Sequence, residues 1–318
     1  MGEAYTAKKH SKFKNVSRSM ANIWKSTSLL FLITIQSIMS AHAQELHDQK
    51  ITGNVKQVTT YMYNGKIDPK YLEWKAVQKY NTNSKITEYN HYRRNGKLEF
   101  RDIYHYNDKG LLSRDVNEEA GDAEETEYKY DSSGNLVELK SFDVDGKLEY
   151  RFTYKVNAAG QQIEENIFGK DDILKSRSAH TYDKNGNNVE TKVYDSLAKL
   201  TRIWRHTYDS KKNLTENSHY GPDDKLIKKS TTKYIYYPSG VIKNESNYED
   251  GQITSKESFD LKGNVVESIM YSGIDDKDFL SKEMTKYNKF DSKGNWLQTT
   301  RTMGPSHLIL MVREIAYY

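Results

Sequence analysis

The chain has 318 residues, no cysteine, 29% charged residues and a mean hydropathy of −0.89. These values exclude a polytopic helical membrane protein, a disulfide scaffold and any thiolate-based metal or catalytic site. Tyrosine is in excess, with 25 residues against 9 phenylalanines and 4 tryptophans, which favours strands with one buried and one wet face.

Residues 1–43 have the three parts of a secretory signal peptide, and we predict that export removes them. Six basic residues precede an apolar run at residues 29–39, and the small residues Ala41 and Ala43 then form a cleavage site. Counted from Met20 the leader has 24 residues, an ordinary length, so Met20 is a possible true start. The alternative is an uncleaved N-terminal anchor.

The predicted mature chain, residues 44–318, is nearly neutral. The leader contains six basic residues and one acidic residue, so 42 of the 48 basic and 43 of the 44 acidic residues remain. A net charge of −1 gives no basic field, so we expect no nucleic-acid partner. We also expect no transmembrane segment in the mature chain, because the strongest apolar run of the whole sequence, residues 29–39, lies in the leader.

A 26-residue repeat dominates the mature chain. Each repeat contains two short alternating segments and two turns. Residues 147–155 alternate between a Leu/Tyr/Phe face and a charged face, which is the period of a half-buried strand. Turns of the type Asp-x-x-Gly recur between the strands. The columns in register are Leu148, Leu174, Leu200 and Leu226; Glu138, Glu164, Glu190 and Glu216; Phe142, Phe168, Tyr194 and Tyr220; and Gly134, Gly160 and Gly186, followed by Lys212.

Short alternating strands joined by regular turns predict an all-β antiparallel meander of about 20 strands. Its twist should curl it into a rolled or spiral sheet with the tyrosine face inward. The register loosens at three places, which we predict to be a long connection (64–79), an acidic segment without a glycine turn (113–125) and a polar spacer (272–286). None resembles a linker, so residues 44–318 are predicted to form a single β-repeat domain.

One motif recurs at Tyr130, Asp131, Gly134, Asn135 and Glu138, and again at Tyr182, Asp183, Gly186, Asn187 and Glu190. This motif resembles the YD (RHS-type) repeats of exported bacterial proteins, of the small kind found in Bacteroidota. The resemblance covers most of residues 80–300 and implies a β-sheet wrap. Larger toxin members of this family enclose a payload, and some relatives are labelled carbohydrate-binding. The toxins carry an Asp-Pro-x-Gly processing signature. This chain departs from them, because its Asp68-Pro69 pair is followed by Lys70 and does not continue into that signature. The units beginning at Gly96 and Gly146 also resemble MORN-type repeats.

Four features invite a functional interpretation. His180 and His206 occupy one column, but Tyr128 and Tyr154 continue it, so packing is favoured over a metal site. The turn at Asp143 lacks the twelfth ligand of a calcium loop. The glutamate column is predicted to pair with lysines across strands rather than to supply a glycosidase acid pair. Trp204 is predicted to pack in the core, with a sugar-stacking platform as the alternative.

We therefore predict no catalytic residue, no metal ligand and no cofactor. The sequence favours an exported, non-enzymatic binding or structural module in the periplasm, on the cell surface or outside the cell, with an unknown glycan or surface protein as partner. Two alternatives stay open, an outer-membrane β-barrel and a glycan-active enzyme.

Overall fold

The computed structural model describes residues 51–272, 279–304 and 307–318, so the predicted signal peptide lies outside the described residues. The described residues form 20 strands and one 3-10 turn, Pro69–Tyr71, which confirms the predicted all-β meander. The strands are β1 (Val55–Asn64), β2 (Leu72–Tyr80), β3 (Ile86–Arg93), β4 (Leu98–Tyr106), β5 (Leu112–Glu119), β6 (Asp122–Tyr130), β7 (Leu136–Phe142), β8 (Leu148–Val156), β9 (Gln162–Gly169), β10 (Leu174–Tyr182), β11 (Asn188–Asp195), β12 (Leu200–Tyr208), β13 (Leu214–Tyr220), β14 (Leu226–Tyr236), β15 (Ile242–Glu249), β16 (Gln252–Phe259), β17 (Val265–Tyr271), β18 (Phe279–Phe290), β19 (Trp296–Met303) and β20 (His307–Tyr317).

The Asp-x-x-Gly turns form because each aspartate caps the backbone of its own turn. The Oδ1 atom of Asp131 accepts hydrogen bonds from the backbone N–H groups of Ser133 and Asn135, both at 2.9 Å. Gly134 then adopts a φ of +87°, because a residue without Cβ enters the left-handed region at little cost. Lys212 has a φ of +68° in the equivalent position, and its Nζ donates to the Asn185 carbonyl of the neighbouring turn at 2.8 Å.

Each strand pairs antiparallel with the next, and the last strand pairs with the first. Strand β20 lies against β1 over most of its length, with Arg313 opposite Thr60 and Met311 opposite Met62. The Tyr318 N–H also donates to the Asn54 carbonyl at 3.0 Å. The predicted rolled sheet is thus a closed ring of 20 strands. We call the β20–β1–β2 region the seam.

The two faces of the sheet differ in burial as predicted. Phe152 on β8 is opposite Leu139 on β7 and Ile167 on β9, and all three side chains are buried. The alternate residues of β8, such as Lys155, are charged and accessible. Since side chains converge on the concave face of a closed sheet and diverge on the convex face, the buried tyrosine-rich face is the inner one.

A column of tyrosines holds the ends of neighbouring strands together. In the β11–β12 hairpin the backbone ladder ends at the pair Glu190 and Arg205, so the carbonyl of Asn188 lies beyond the last pair. The hydroxyl of Tyr208 donates to this carbonyl at 2.9 Å and replaces the missing ladder bond. We call this contact a tyrosine latch. It recurs from Tyr106 to Ile86, Tyr130 to Leu112, Tyr182 to Gln162 and Tyr234 to Leu214, at 2.6–3.1 Å.

The three irregular segments contain more strand than the sequence indicated. Strand β2 begins at Leu72, so the long connection is shorter than predicted. The prediction that residues 113–125 lack a glycine turn is wrong, because Ala120 and Gly121, both at positive φ, join β5 to β6. Strand β18 begins at Phe279, within the predicted spacer, and residues 273–278 lie outside the described residues. Charged residues on both faces hide the alternation in these segments.

Candidate functional site: the inner polar face

Two neighbouring columns of inner-face side chains run around the sheet, one on even-numbered and one on odd-numbered strands. Members of the two columns lie directly opposite one another, so each strand pair places one aromatic or imidazole ring beside a second side chain. Most of these second side chains are polar or acidic, which sequence reasoning did not find. The pairs are Tyr104 with Asp115, Tyr128 with Leu139, Tyr154 with Glu165, His180 with Thr191, and His206 with Asn217.

The first carboxylates of the inner face are held by hydrogen bonds. The Tyr128 hydroxyl donates to Asp115 at 2.6 Å, and the Asn117 amide donates to Asp102 at 2.6 Å. Burial raises the pKa of Asp115 to about 6, although the hydrogen bond from Tyr128 opposes this shift. Burial likewise raises the pKa of Asp102. Asp102 lies opposite Tyr89 and Asn117, on the same face of β4 as Tyr104.

Glu165 is the most deeply buried carboxylate of the two columns, with 8% of its surface exposed. It lies opposite Tyr154 and Ser178, and its Oε1 has no hydrogen-bond partner among the described residues. Burial raises its pKa to about 7. The sequence contained a signal for this position, because Glu164 belongs to the outward glutamate column and its neighbour must therefore face inward.

The two histidines occupy the packing column predicted for them. His180 Nδ1 is 3.0 Å from the Thr191 hydroxyl, and burial lowers the pKa of both His180 and His206. Within the described ranges, no cluster of three or more His, Asp or Glu side chains could hold a metal ion. The expectation that the fold needs no metal stays a prediction.

Trp204 stacks on His219 from the neighbouring strand, with ring centroids 4.4 Å apart and planes inclined by 11°. Both rings are on the inner face and neither is fully buried. The tryptophan therefore contributes to packing and still has accessible surface, so the sugar-stacking alternative stays open.

The inner face of strands β9 to β13 concentrates polar atoms that lack a partner. Buried side-chain atoms without a hydrogen-bond partner among the described residues are costly, at about 1–3 kcal/mol each. We call the five residues that carry them here the inner patch, and Trp204 lies within it. They are Glu165 (Oε1), His180 (Nε2), His206 (Nδ1), Asn217 (Oδ1) and His219 (Nε2).

The glutamate column lies on the outer face and is paired with basic side chains. The predicted pairing with a lysine across strands holds for Glu164, which is 2.7 Å from Lys155 Nζ. Glu190 instead pairs across strands with Arg205 at 3.1 Å, and its lysine partner, Lys192 at 2.9 Å, is on its own strand. Glu216 is 2.5 Å from Lys229 Nζ. These carboxylates form a regular ion-pair ladder rather than an isolated acid pair.

The outer face also carries arginines stacked over aromatic rings, which the sequence analysis did not anticipate. Their guanidinium carbons lie within stacking distance of a ring on the next strand. Arg151 and Arg177 are directly opposite their rings and 26 residues apart, whereas Arg205 is 28 residues beyond Arg177 and diagonal to its ring. The pairs are Arg151 over Phe168 at 4.0 Å, Arg177 over Tyr194 at 4.5 Å, and Arg205 over Tyr220 at 4.6 Å.

The turn at Asp143 is an ordinary capped turn. Its Oδ1 accepts from the backbone N–H groups of Asp145 and Lys147 at 3.0 and 2.9 Å. Asp145 in turn pairs with the Lys147 ammonium at 3.0 Å. The aspartates that suggested calcium thus bond within the turn.

No known family profile and no curated protein matches the chain. Among solved structures, the crystal structure of TcdB2-TccC3-Cdc42 has 12% identity and a TM-score of 0.36, over 80% of this chain and 16% of that one. A porin-like protein from Bacteroides uniformis has 10% identity and a TM-score of 0.36, over 84% and 98%. The Photorhabdus luminescens Tc holotoxin pore has 11% identity and a TM-score of 0.20, over 76% and 19%. TM-scores this low carry no argument about function.

The chain spans less than a fifth of the length of the two toxin chains. The YD-type likeness therefore stays a resemblance of sequence motifs. In the part of the chain that the structure describes, no helix has the length and apolar character to cross a membrane.

Proposed function

We propose that the protein is an exported, non-enzymatic binding module that holds a glycan on the inner patch. The observation that carries this proposal is the coincidence of a partly accessible Trp204 ring with five inner-face side chains, each of which has one buried polar atom without a partner among the described residues. These side chains lie on β9, β10, β12 and β13. Sugars are bound by such a combination, because a ring stacks on their C–H face while amide, imidazole and carboxylate groups bond their hydroxyls. A ring of 20 strands can also enclose more space than its own side chains fill.

A non-enzymatic role is favoured by the regularity of the acidic side chains. Retaining and inverting glycosidases need two carboxyl groups at a set separation across one bond. The outer carboxylates are neutralised by lysines and arginines, as Glu164 and Glu190 illustrate. On the inner patch Glu165 is the single carboxylate, so a second acid for such a pair is missing from it.

The outer-membrane barrel remains the second candidate, because closure of 20 antiparallel strands is what such a protein requires. The outer face argues against it. Side chains such as Arg151, Lys155 and Glu164 would meet lipid there, at about 2–4 kcal/mol for each basic residue near the bilayer midplane. Purification of the exported protein without detergent separates the two, since a lipid-facing barrel would aggregate.

The binding role is tested with the purified exported protein on a glycan array, followed by a hydrolysis assay on every glycan that binds. We expect saturable binding without product release. Trp204→Ala should weaken binding at least tenfold. Trp74→Ala is the matched control, because Trp74 is also an inner-face ring beside a histidine, His91, but lies outside the inner patch.

Melting curves of both variants show whether each is folded, and Asn217→Leu tests the patch without removing a ring. Equal loss of binding in the Trp74 and Trp204 variants would contradict the assignment of the site. Release of sugar would overturn the non-enzymatic role. Capture of a surface protein with no glycan bound would replace the glycan with a protein partner.

A further inference from the structure

A buried arginine at the seam has no acidic partner among the described residues. Arg313 on β20 is 3% exposed, and its guanidinium carbon is 3.6 Å from the centroid of the Trp296 ring. Burial lowers its pKa to about 10, so the side chain is still charged at neutral pH. A charge buried in this way is strongly destabilising unless another group compensates it.

The stacking contact leaves one edge of the guanidinium group unused. Nε and Nη2 of Arg313 have no hydrogen-bond partner within the described ranges, and no described carboxylate forms an ion pair with it. The Trp296 ring covers only the flat face of the group. The N–H bonds of Nε and Nη2 point in the same direction along one edge, with the spacing of the two oxygens of a carboxylate.

A second buried polar side chain lies on the same face of the sheet, on the other side of β1. Gln78 on β2 is 1% exposed, and both atoms of its amide lack a partner among the described residues. Arg313 is opposite Thr60 on β1, and Gln78 is opposite Val58 on the same strand. Gln78 and Arg313 therefore lie diagonally across β1 on the same face of the sheet.

We propose that the seam binds a carboxylate group, with Arg313 Nε and Nη2 holding its two oxygens and the Gln78 amide donating to one of them. The site uses strands β20, β1 and β2, whereas the inner patch uses β9 to β13, so this proposal does not depend on the proposed function. The ligand is identified by chemistry as a carboxylate, carried by a sugar acid or by a peptide end.

The test uses the fluorescence of Trp296, since a ligand on the guanidinium edge changes the stack beneath it. In the Trp74→Phe/Trp204→Phe background, Trp296 is the tryptophan that remains in the predicted mature chain. Acetate is titrated at constant ionic strength against acetamide, its neutral isostere, and against chloride. We expect a saturable change and a rise in melting temperature with acetate, and neither with acetamide or chloride.

Arg313→Lys keeps the charge but removes the bidentate edge, so the affinity for acetate should fall about tenfold. Arg202→Lys, at an inner-face arginine far from the seam, is the matched control and should bind as the parent does. If Arg313→Lys does not fold, Gln78→Leu in the same titration replaces it and should also weaken binding. Glucuronate and N-acetylglycine then distinguish a sugar acid from a peptide carboxylate.

An equal response to chloride, an unchanged affinity in both seam variants, or no saturable response to acetate, glucuronate or N-acetylglycine overturns the proposal.

Discussion

The tyrosine latches predict a specific loss of stability when a single hydroxyl is removed. In Tyr208→Phe the ring stays in place, but the Asn188 carbonyl loses its hydrogen bond of 2.9 Å. A neutral hydrogen bond contributes about 1 kcal/mol net, and a partly buried carbonyl left without a partner raises the cost towards 2 kcal/mol. For a chain of this size each kcal/mol lowers the melting temperature by roughly 2–4 °C.

The measurement is urea unfolding followed by circular dichroism, with the m-value required to stay constant so that the midpoint reports stability. Tyr194→Phe is the control, because Tyr194 is an outer-face tyrosine whose hydroxyl has no described hydrogen bond while Arg177 stacks on its ring. Its change should stay within about 0.5 kcal/mol. Tyr182→Phe combined with Tyr208→Phe should be additive, since the two latches are two strands apart. Equal losses in Tyr194→Phe and Tyr208→Phe, or no loss in either, would refute the latch.

Four further predictions concern pH, turns, closure and metal. Since the folded pKa of Glu165 is about 7 against an ordinary 4.5, its protonated form stabilises the fold, and this stability is present below pH 4.5 and lost as the pH rises through 7. Glu165→Gln should remove up to about 3 kcal/mol of that pH dependence, measured by urea midpoints between pH 4.5 and 8. Gly186→Val should cost about 1–2 kcal/mol or more in a thermal melt because φ is +82°, whereas Lys212→Gly should cost little. Deleting residues 161–186 removes two strands from a closed ring and should abolish the native circular dichroism spectrum. A chelator should leave the melting temperature unchanged, and a drop reversed by calcium would contradict this.

Within the regular units, the repeat and its alternation were sufficient to predict the strands, the turns and the two faces, but not in the three irregular segments. A period of two fixes which residues share a face, and the glutamate column marks the outer one. The same reasoning could have placed Glu165 inward, because its neighbour Glu164 faces out. Its pKa could not be predicted, since that depends on which side chains from β8 and β10 cover it.

The seam was beyond sequence reasoning for a different reason. Its contacts join residues more than 240 positions apart, such as Thr52 with Asn295 and Thr60 with Arg313, and these lie outside the regular repeat. A periodic pattern predicts neighbours along the chain, but the pairing of two non-repeating ends leaves no periodic signal. The sequence therefore does not distinguish Arg313 from other charged residues, although its side chain is among the most buried in the structure.

The composition of the terminal strands shows why the sheet closes rather than ending in two free edges. Strand β20 contains the most apolar run of the described chain, Leu308 to Val312, and β1 contributes the fully buried Val58. An exposed edge strand of this character would pair with other chains and aggregate, and open sheets protect such edges with charges, bulges or proline. Here the two edges cover each other. The pairing of β1 with β20 thus protects both edges, as capping units do in an open array, and it also brings Arg313 and Gln78 to the same inner surface.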